Sequence, residues 1–272
     1  MVKKSIRILV AVLGIGLAGM ATLAVGADKM KMVDPAKILK EKGVYGLYNT
    51  FKVQPSYSQL SMAERSKAVS EVEAVVKKHS KSVFVQAYLT RGFKSDSDFL
   101  LRMHSYEPAD AQAFISDFSA TALGRNSNVT LALIGVTKGL NHTTKDKSPD
   151  LLKALKSTPY SAGPTKYAFV IPIDKSSEWW NQSEAEKLMR MEEHTIPTLP
   201  FLVNVKRKLY HSTGLDDTDF ITYFETSDLV AFNNLNIALH SVSEMNFNTR
   251  YGSPIVMGTI MSVADVVKAL SK

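Results

Sequence analysis

Two residues capable of chemistry stand on either side of a break in one helix-like segment. The stretch HTIPTLPFLVNVKR spans residues 194–207, so His194 and Arg207 are separated by two prolines and an apolar run. His194 follows Leu188 and Met191 at three-residue steps, which places it on the apolar stripe of a helix that faces the core. A histidine there is either a core residue with one satisfied nitrogen or a metal ligand. The spacing alone does not decide between the two.

Arg207 is the less easily explained of the pair. On a strand, Arg207, Leu209 and His211 share one face, while Lys206, Lys208 and Tyr210 take the other. If the Arg207 face is covered, a permanently charged guanidinium enters a largely apolar space, which is tolerable with an anionic partner or a ligand. The next strand offers Thr222 and Phe224, again on one face, as neighbours.

A third group lies at a predicted strand-to-helix turn, where Lys175 precedes Trp179 and Trp180. Paired tryptophans usually pack in a core. Beside a lysine they can also hold a large, flat, anionic ligand through indole N–H and ammonium donors.

The elements that must position these residues repeat along the chain. Hydrophobic periodicity and turn residues predict the order βαββαβ in the first half, with strands at 43–53, 83–92, 98–106 and 128–139 and helices at 61–79 and 107–124. The order then recurs, with strands at 166–173, 201–213, 219–226 and 247–254 and helices at 176–194 and 227–244. Ser227 is the expected N-cap of the last helix.

Two βαββαβ units indicate an α+β protein made of two ferredoxin-like repeats. Each antiparallel sheet leaves one face uncovered, so the two sheets are expected to pack together as a dimeric α/β barrel. We assign residues 28–150 to an N-terminal ferredoxin-like domain and residues 160–272 to a C-terminal domain that carries the site.

The N-terminal residues indicate export. Lys3, Lys4 and Arg7 precede an apolar run that ends in small residues, a pattern typical of a signal peptide over residues 1–27 and hence of a periplasmic protein with no membrane segment after cleavage. A membrane anchor is the competing interpretation. Cleavage would reduce the 33 basic residues to 30 against 26 acidic ones, a formal charge of +4. The charges are interspersed, which argues against a nucleic-acid surface.

The chain contains no cysteine. This excludes disulfides, a catalytic thiol, thiolate metal ligands and covalent attachment of a c-type haem.

Several spaced motifs together resemble the chlorite dismutase family: KYAFVIPI, the Lys175, Trp179 and Trp180 group, EEHTIPTLPFLVNVKRKLYHSTGLDDTDFITYFET and RYGSPIVMGTI. The resemblance is strong from about residue 161 to residue 269. It implies one non-covalent haem b per subunit and the conversion of chlorite to chloride and dioxygen through a ferryl and hypochlorite intermediate. The length of the first half resembles the long-chain branch of the family, which implies a homopentamer.

The resemblance also implies roles for individual residues. His194 becomes the proximal haem-iron ligand and Glu244 the carboxylate that accepts its other ring N–H. Arg207 becomes the distal catalytic residue. The remaining assignments are a distal pocket lined by Leu209, Thr222 and Phe224, and haem contacts by Lys175, Trp179, Trp180, His142 and Thr143. Lys175 and Trp179 are expected at the propionates, where His142 and Thr143 stand in place of an expected tyrosine.

Three alternatives remain open at this point. They are a coproporphyrin-haem decarboxylase of the same fold, a peroxidase on the same scaffold, and a periplasmic haem-binding protein without enzyme activity. Release of oxygen from chlorite distinguishes the first interpretation from all three.

Overall fold

The computed structural model describes residues 31–139, 149–150, 153 and 163–272. The expected signal peptide and most of the connection between the two halves lie outside these residues. Among the described residues, no helix combines the length and the apolar character needed to cross a membrane.

The first half follows the predicted βαββαβ order, with two differences: the short helix α1 was not predicted, and the helix expected over 107–124 is divided into α3 and α4. Its elements are β1 (Tyr45–Val53), α1 (Pro55–Gln59), α2 (Met62–His79), β2 (Phe84–Leu89), β3 (Phe99–Ser105), α3 (Pro108–Ser119), α4 (Ala122–Arg125) and β4 (Ser127–Val136). A capping box in which Ser61 and Glu64 exchange hydrogen bonds starts α2.

The second half repeats that order with additions. Its elements are β5 (Tyr167–Lys175), α5 (Ser177–Asn181), α6 (Glu184–Thr195), β6 (Val205–His211), β7 (Phe220–Thr226), α7 (Leu229–His240), β8 (Asn248–Tyr251), β9 (Val256–Met261) and α8 (Val263–Leu270). Two short 3₁₀ segments, Ile196–Phe201 and Ser243–Phe247, follow α6 and α7 respectively.

Several predicted boundaries in this half were wrong. The helix expected over 176–194 is two helices, because Ser183 and Glu186 form a capping box that starts α6 anew. The N-cap of α7 is Asp228, whose side chain accepts from the backbone N–H of Ala231, and not Ser227. The strand expected over 247–254 is shorter, and β9 follows it.

The sheet closes on itself. Its order is β7-β6-β4-β1-β3-β2-β9-β5-β8, and β5 also pairs with β7, so eight strands form a barrel with β8 attached outside. Within it, the four strands of each repeat have the same spatial order, fourth-first-third-second. This order is β4-β1-β3-β2 in the first repeat and β9-β5-β7-β6 in the second, as two ferredoxin-like units require. The two units meet where β4 pairs with β6 and where β2 pairs with β9. The α+β class and the barrel arrangement of two repeats are therefore confirmed.

Burial shows which side of each strand faces the barrel interior. One buried cluster takes residues from all eight barrel strands, among them Tyr48, Tyr88, Tyr210 and Tyr223. Gly46 makes room for it, because a Cβ there would lie 2.5 Å from the ring of Tyr210. Since Tyr210 points inward, Arg207 and Leu209 point outward, toward the helices of the second half.

The outer face of the second sheet is covered by α7. Phe169 stacks on Phe232 with ring centroids 3.8 Å apart, and Phe224 packs edge-on against the same ring. Helix α6, by contrast, makes its main contacts with the two 3₁₀ segments and not with a strand. Because no strand makes a main contact with α6, we infer a space between this helix and the sheet.

Candidate active site

His194 lies in the last turn of α6 and borders this space. Leu188, Met191 and His194 form the predicted apolar stripe, yet all three are only half-buried, and the His194 side chain keeps 27% of its surface exposed. The stripe of an amphipathic helix is normally covered by core side chains. The described side chains leave this one partly uncovered, in agreement with a space beside it.

Glu244 holds the His194 ring in place from the second 3₁₀ segment. Its Oε2 lies 2.9 Å from Nδ1 of His194, and the residue is 3% exposed. The neighbouring Ser243 donates from its Oγ to Oε1 of Glu193 at 2.6 Å, which ties this segment to α6 beside the histidine. Glu244 was expected at the end of an α-helix; it belongs instead to the 3₁₀ segment that follows α7.

Lys175 completes a chain of three buried groups. Its Nζ contacts Oε1 of Glu244, and the lysine side chain is 6% exposed. Burial lowers the pKa of Lys175 to about 7, and the charge of Asp219 opposes this shift. Direct contact with the Glu244 carboxylate also favours the ammonium form, so we treat the pair as ionised. The ammonium of Lys175 is engaged by Glu244, and its expected contact with a haem propionate stays a prediction.

This chain of groups determines the state of the imidazole. Burial, followed by the positive charges of Arg207 and Lys175, lowers the pKa of His194 to about 3. The carboxylate of Glu244 acts in the opposite direction, but Lys175 neutralises much of its charge. His194 is therefore neutral at pH 7, with Nδ1–H donating to Glu244 and with the Nε2 lone pair available to a metal ion.

Arg207 lies on the outer face of β6, and it shares that face with Leu209 as the two-residue periodicity predicted. Its side chain is exposed by surface area, yet burial lowers its pKa, because protein atoms surround the open space that it borders. Among the described residues, no carboxylate lies within ion-pair distance of its guanidinium. Nη1 donates to the Thr198 hydroxyl at 3.3 Å. A cation so placed is suited to an anionic ligand.

The residues expected beside Arg207 share its side of the sheet. Phe224 is its direct cross-strand partner, and Leu209 pairs in the same way with Thr222. Thr222 directs its hydroxyl to the carbonyl of Ile171 at 3.1 Å, which leaves its methyl group and the Phe224 ring as an apolar surface near the arginine.

The two tryptophans have different environments. Trp179 is 4% exposed, with Nζ of Lys175 4.3 Å from its ring centroid, so it packs against the cation that holds Glu244. Trp180 is 43% exposed and stacks on Phe220 with centroids 6.0 Å apart. His142 and Thr143, the other residues expected to contact haem, lie outside the described residues.

Sequence reasoning missed Thr198, which stands between the two prolines of the 3₁₀ segment and contacts Arg207. It also missed the bond from Ser243 to Glu193. Both are hydroxyl contacts between parts of the chain whose approach depends on the fold, and a lone hydroxyl residue gives no periodic signal.

The donor set fits haem better than a bare metal ion. Within the described ranges, no cluster of three or more His, Cys, Asp or Glu residues could hold a metal ion. A haem needs a single protein ligand, because the macrocycle supplies the other four. His194, oriented by Glu244, is suited to be that single ligand.

Comparison with known proteins agrees with this geometry. A family model described as chlorite dismutase matches residues 65–261. The chlorite dismutase of Ideonella dechloratans is 54% identical over 239 residues, which covers 88% of this chain and 84% of that protein. The coproheme decarboxylase of Mycolicibacterium smegmatis is 24% identical over 229 residues, covering 83% of this chain and 94% of that one.

Among solved structures, chlorite dismutase from Candidatus Nitrospira defluvii in complex with imidazole superposes with a TM-score of 0.84. It is 39% identical and covers 88% of this chain and 100% of that chain. A tryptophan variant of that enzyme in complex with cyanide also gives a TM-score of 0.84 at 38% identity, covering 89% and 100% of the two chains.

Proposed function

The chain belongs to the chlorite dismutase family, and on that basis we propose that it decomposes chlorite to chloride and dioxygen with one non-covalent haem b. The observation that carries the proposal is the pairing of two groups around one space. One is a neutral imidazole backed by a buried carboxylate, and the other is a guanidinium that no described carboxylate neutralises. The 54% identical chlorite dismutase supports the choice of substrate.

His194 is the residue that would hold the haem iron, through Nε2. Glu244 fixes the tautomer by accepting the Nδ1 proton, and a carboxylate partner raises the basicity of an imidazole ligand. Lys175 in turn orients Glu244 and moderates its charge, and Trp179 packs against Lys175. When bound, the haem supplies the redox chemistry of its iron. The remaining proposed haem contacts are those of Lys175, Trp179, Trp180, His142 and Thr143.

Arg207 is the proposed catalytic residue toward the anion. Chlorite and hypochlorite, which is chlorite less one oxygen atom, are both monoanions, so a fixed guanidinium attracts and orients each of them. Retention of hypochlorite matters because the second oxygen atom must still be recovered from it to form dioxygen. The apolar wall of the proposed pocket is formed by Leu209, Thr222 and Phe224. When an anion is bound there, the apolar wall keeps water away and so strengthens the attraction between the anion and Arg207.

We also propose that the mature protein is a periplasmic homopentamer. The apolar side chains of Val230 and Ile237 support self-association, because they are 70% and 58% exposed and lie two turns apart on α7. The closed barrel leaves few open strand edges among the described residues, so strand pairing between subunits does not support this proposal. Light scattering of the purified protein measures the number of subunits, and a stable monomer would contradict this proposal.

The test of function is oxygen release, measured with an electrode after chlorite is added to the haem-loaded protein. The parent should evolve oxygen, and His194→Ala should lose both stable haem and activity. His79→Ala is the matched control, since His79 also ends a helix but bonds to Asp117 at 2.6 Å in the first half. Full haem occupancy without oxygen release would favour one of the three alternatives. Full occupancy in His194→Ala would refute the ligand assignment.

A further inference from the structure

The 3₁₀ segment Ile196–Phe201 connects the helix that carries His194 to the strand that carries Arg207. Within it, Thr198 is 1% exposed although it lies in a connecting segment. Its hydroxyl donates to the carbonyl oxygen of Thr195 at 2.7 Å, and the same Oγ1 accepts from Nη1 of Arg207 at 3.3 Å. Because its one proton is committed to Thr195, the hydroxyl faces Arg207 as an acceptor only.

The chemistry of this partner is significant. A carboxylate at the position of Thr198 would hold the guanidinium more strongly, but it would also cancel the charge that an incoming anion requires. A neutral hydroxyl fixes the direction of one N–H and leaves the full positive charge. The other N–H donors of the guanidinium have no protein acceptor within the described residues, so they remain available to a ligand.

We infer that Thr198 is a positioning residue, which aims the Arg207 guanidinium at the anion without neutralising it. The inference rests on the proposed function in one respect, namely that Arg207 faces the anion. Thr198 stands four residues after His194, and its hydroxyl is bonded to the backbone carbonyl of the residue next to His194. The guanidinium of Arg207 is thereby held at a fixed position relative to the segment that carries the proposed iron ligand.

The experiment measures anion affinity and not turnover. Fluoride is titrated into the ferric, haem-loaded protein, and its dissociation constant is read from the visible spectrum. Thr198→Val keeps the shape of the side chain but removes the hydroxyl, and Thr198→Ser restores the hydroxyl. Thr195→Val is the matched control, because Thr195 is also buried, at 4% exposure, and its hydroxyl bonds to the carbonyl of Met191 at 2.7 Å.

Thr198→Val should weaken fluoride binding about three- to tenfold, because the lost hydrogen bond orients Arg207 but does not itself contact the anion. Thr198→Ser and Thr195→Val should stay within about twofold of the parent. The decisive comparison repeats Thr198→Val in an Arg207→Ala background, where its effect should vanish because the hydroxyl has nothing left to position.

If Thr198→Val weakens fluoride binding equally with and without Arg207, the inference is overturned, since Thr198 would then act on the fold and not on the arginine. The inference is also overturned if Thr198→Ser binds fluoride as weakly as Thr198→Val does. If Thr198→Val does not fold, Thr198→Ala enters the same comparison. Absence of oxygen release by the parent would refute the proposed function, whereas the fluoride comparison still reports on Thr198 and Arg207.

Discussion

At the scale of single residues, the charges around His194 alternate. Lys175 contacts one oxygen of Glu244, and the other oxygen accepts from the imidazole, so a buried anion lies between a cation and the proposed iron ligand. Each member alters the electron density that the imidazole can donate. A more negative partner stabilises the oxidised metal, and a less negative one stabilises the reduced metal.

This arrangement predicts opposite shifts of the reduction potential. Glu244→Gln removes the negative charge and should raise the potential of the haem iron, whereas Lys175→Met leaves Glu244 uncompensated and should lower it. Each shift should be on the order of 60 mV, which corresponds to about 1.4 kcal/mol for one electron. Spectroelectrochemical titration measures both values. Glu193→Gln is the control, because Glu193 bonds to Ser243 and not to the imidazole; shifts of the same sign in the two test variants would contradict this account.

The sequence predicted that Arg207 shares a strand face with Leu209 and that His194 lies on the apolar stripe of its helix, because both follow from the periods of a strand and a helix. It did not predict which face of the strand points outward. It did not predict the partner of Lys175. That contact joins residues 69 positions apart, and an apparently ordinary helix-end glutamate becomes buried only when the fold brings a lysine to it. Glu244 was assigned through the resemblance, and its 2.9 Å contact with His194 was not deducible from spacing.

At the scale of elements, the short segments after α6 and α7 set the positions of the side chains. The order of strands and helices followed from hydrophobic periodicity, but their ends depended on capping. Ser183 and Glu186 form a capping box that is visible in the sequence as SEAE and could have located the start of α6. The end of α7 at His240 had no comparable sequence signal, and this early end lets Glu244 turn toward α6.

The corrected cap of α7 gives a stability prediction. Asp228→Ala should lower the free energy of unfolding by about 1 kcal/mol, since Asp228 Oδ1 accepts from the Ala231 N–H at 2.9 Å. Ser227→Ala should change it by less than about 0.5 kcal/mol, because the Ser227 hydroxyl makes an exposed bond to the carbonyl of Pro164. Urea denaturation of the haem-loaded variants measures both, and a larger loss in Ser227→Ala would contradict the cap assignment.

At the scale of the whole molecule, the two repeats form a single compact unit. The domains expected over 28–150 and 160–272 are recognisable as repeats, but Lys31–Lys272 forms one compact unit around the closed sheet. The sequence did not predict α8, which follows β9. Val266, Val267 and Leu270 of α8 join the core of the first half with Ala68 and Val72 of α2. The C-terminal end of the chain thus stabilises the N-terminal repeat.

Inside the barrel, the halves are also joined by a polar contact. His104 of the first half is fully buried, and its Nε2 lies 2.8 Å from the hydroxyl of Tyr210 in the second half. Arg102 donates to the same hydroxyl at 2.7 Å. Burial and the positive charge of Arg102 hold the pKa of His104 well below its ordinary value of 6.5.

The pH dependence of stability follows from that shift. Below pH 6.5 the unfolded chain binds a proton at His104 that the folded chain does not bind, so the free energy of unfolding falls as the pH falls. The contribution of this residue approaches about 1.4 kcal/mol per pH unit between pH 6 and pH 5. His104→Phe should therefore have a shallower slope in urea denaturation over that interval. If His104→Phe has the same slope of unfolding free energy against pH as the parent, His104 does not cause the loss of stability at low pH.

In the proposed function, Arg207 holds the reacting anion beside a haem bound by His194. Arg207→Ala should keep the haem and a nearly unchanged visible spectrum, while its efficiency with chlorite falls about ten- to a thousandfold, a loss of roughly 1.5 to 4 kcal/mol. Lysine should restore part of the activity, because it keeps the charge but lacks the planar fork.

The most direct measurement follows oxygen release and free hypochlorite in the same reaction, with an electrode and a dye that hypochlorite chlorinates. The parent should release oxygen with little free hypochlorite, and Arg207→Ala should release less oxygen, chlorinate the dye and lose its haem absorbance sooner. If Arg207→Ala equals the parent in rate, lifetime and hypochlorite release, Arg207 is a structural residue and the account of the anion site is wrong.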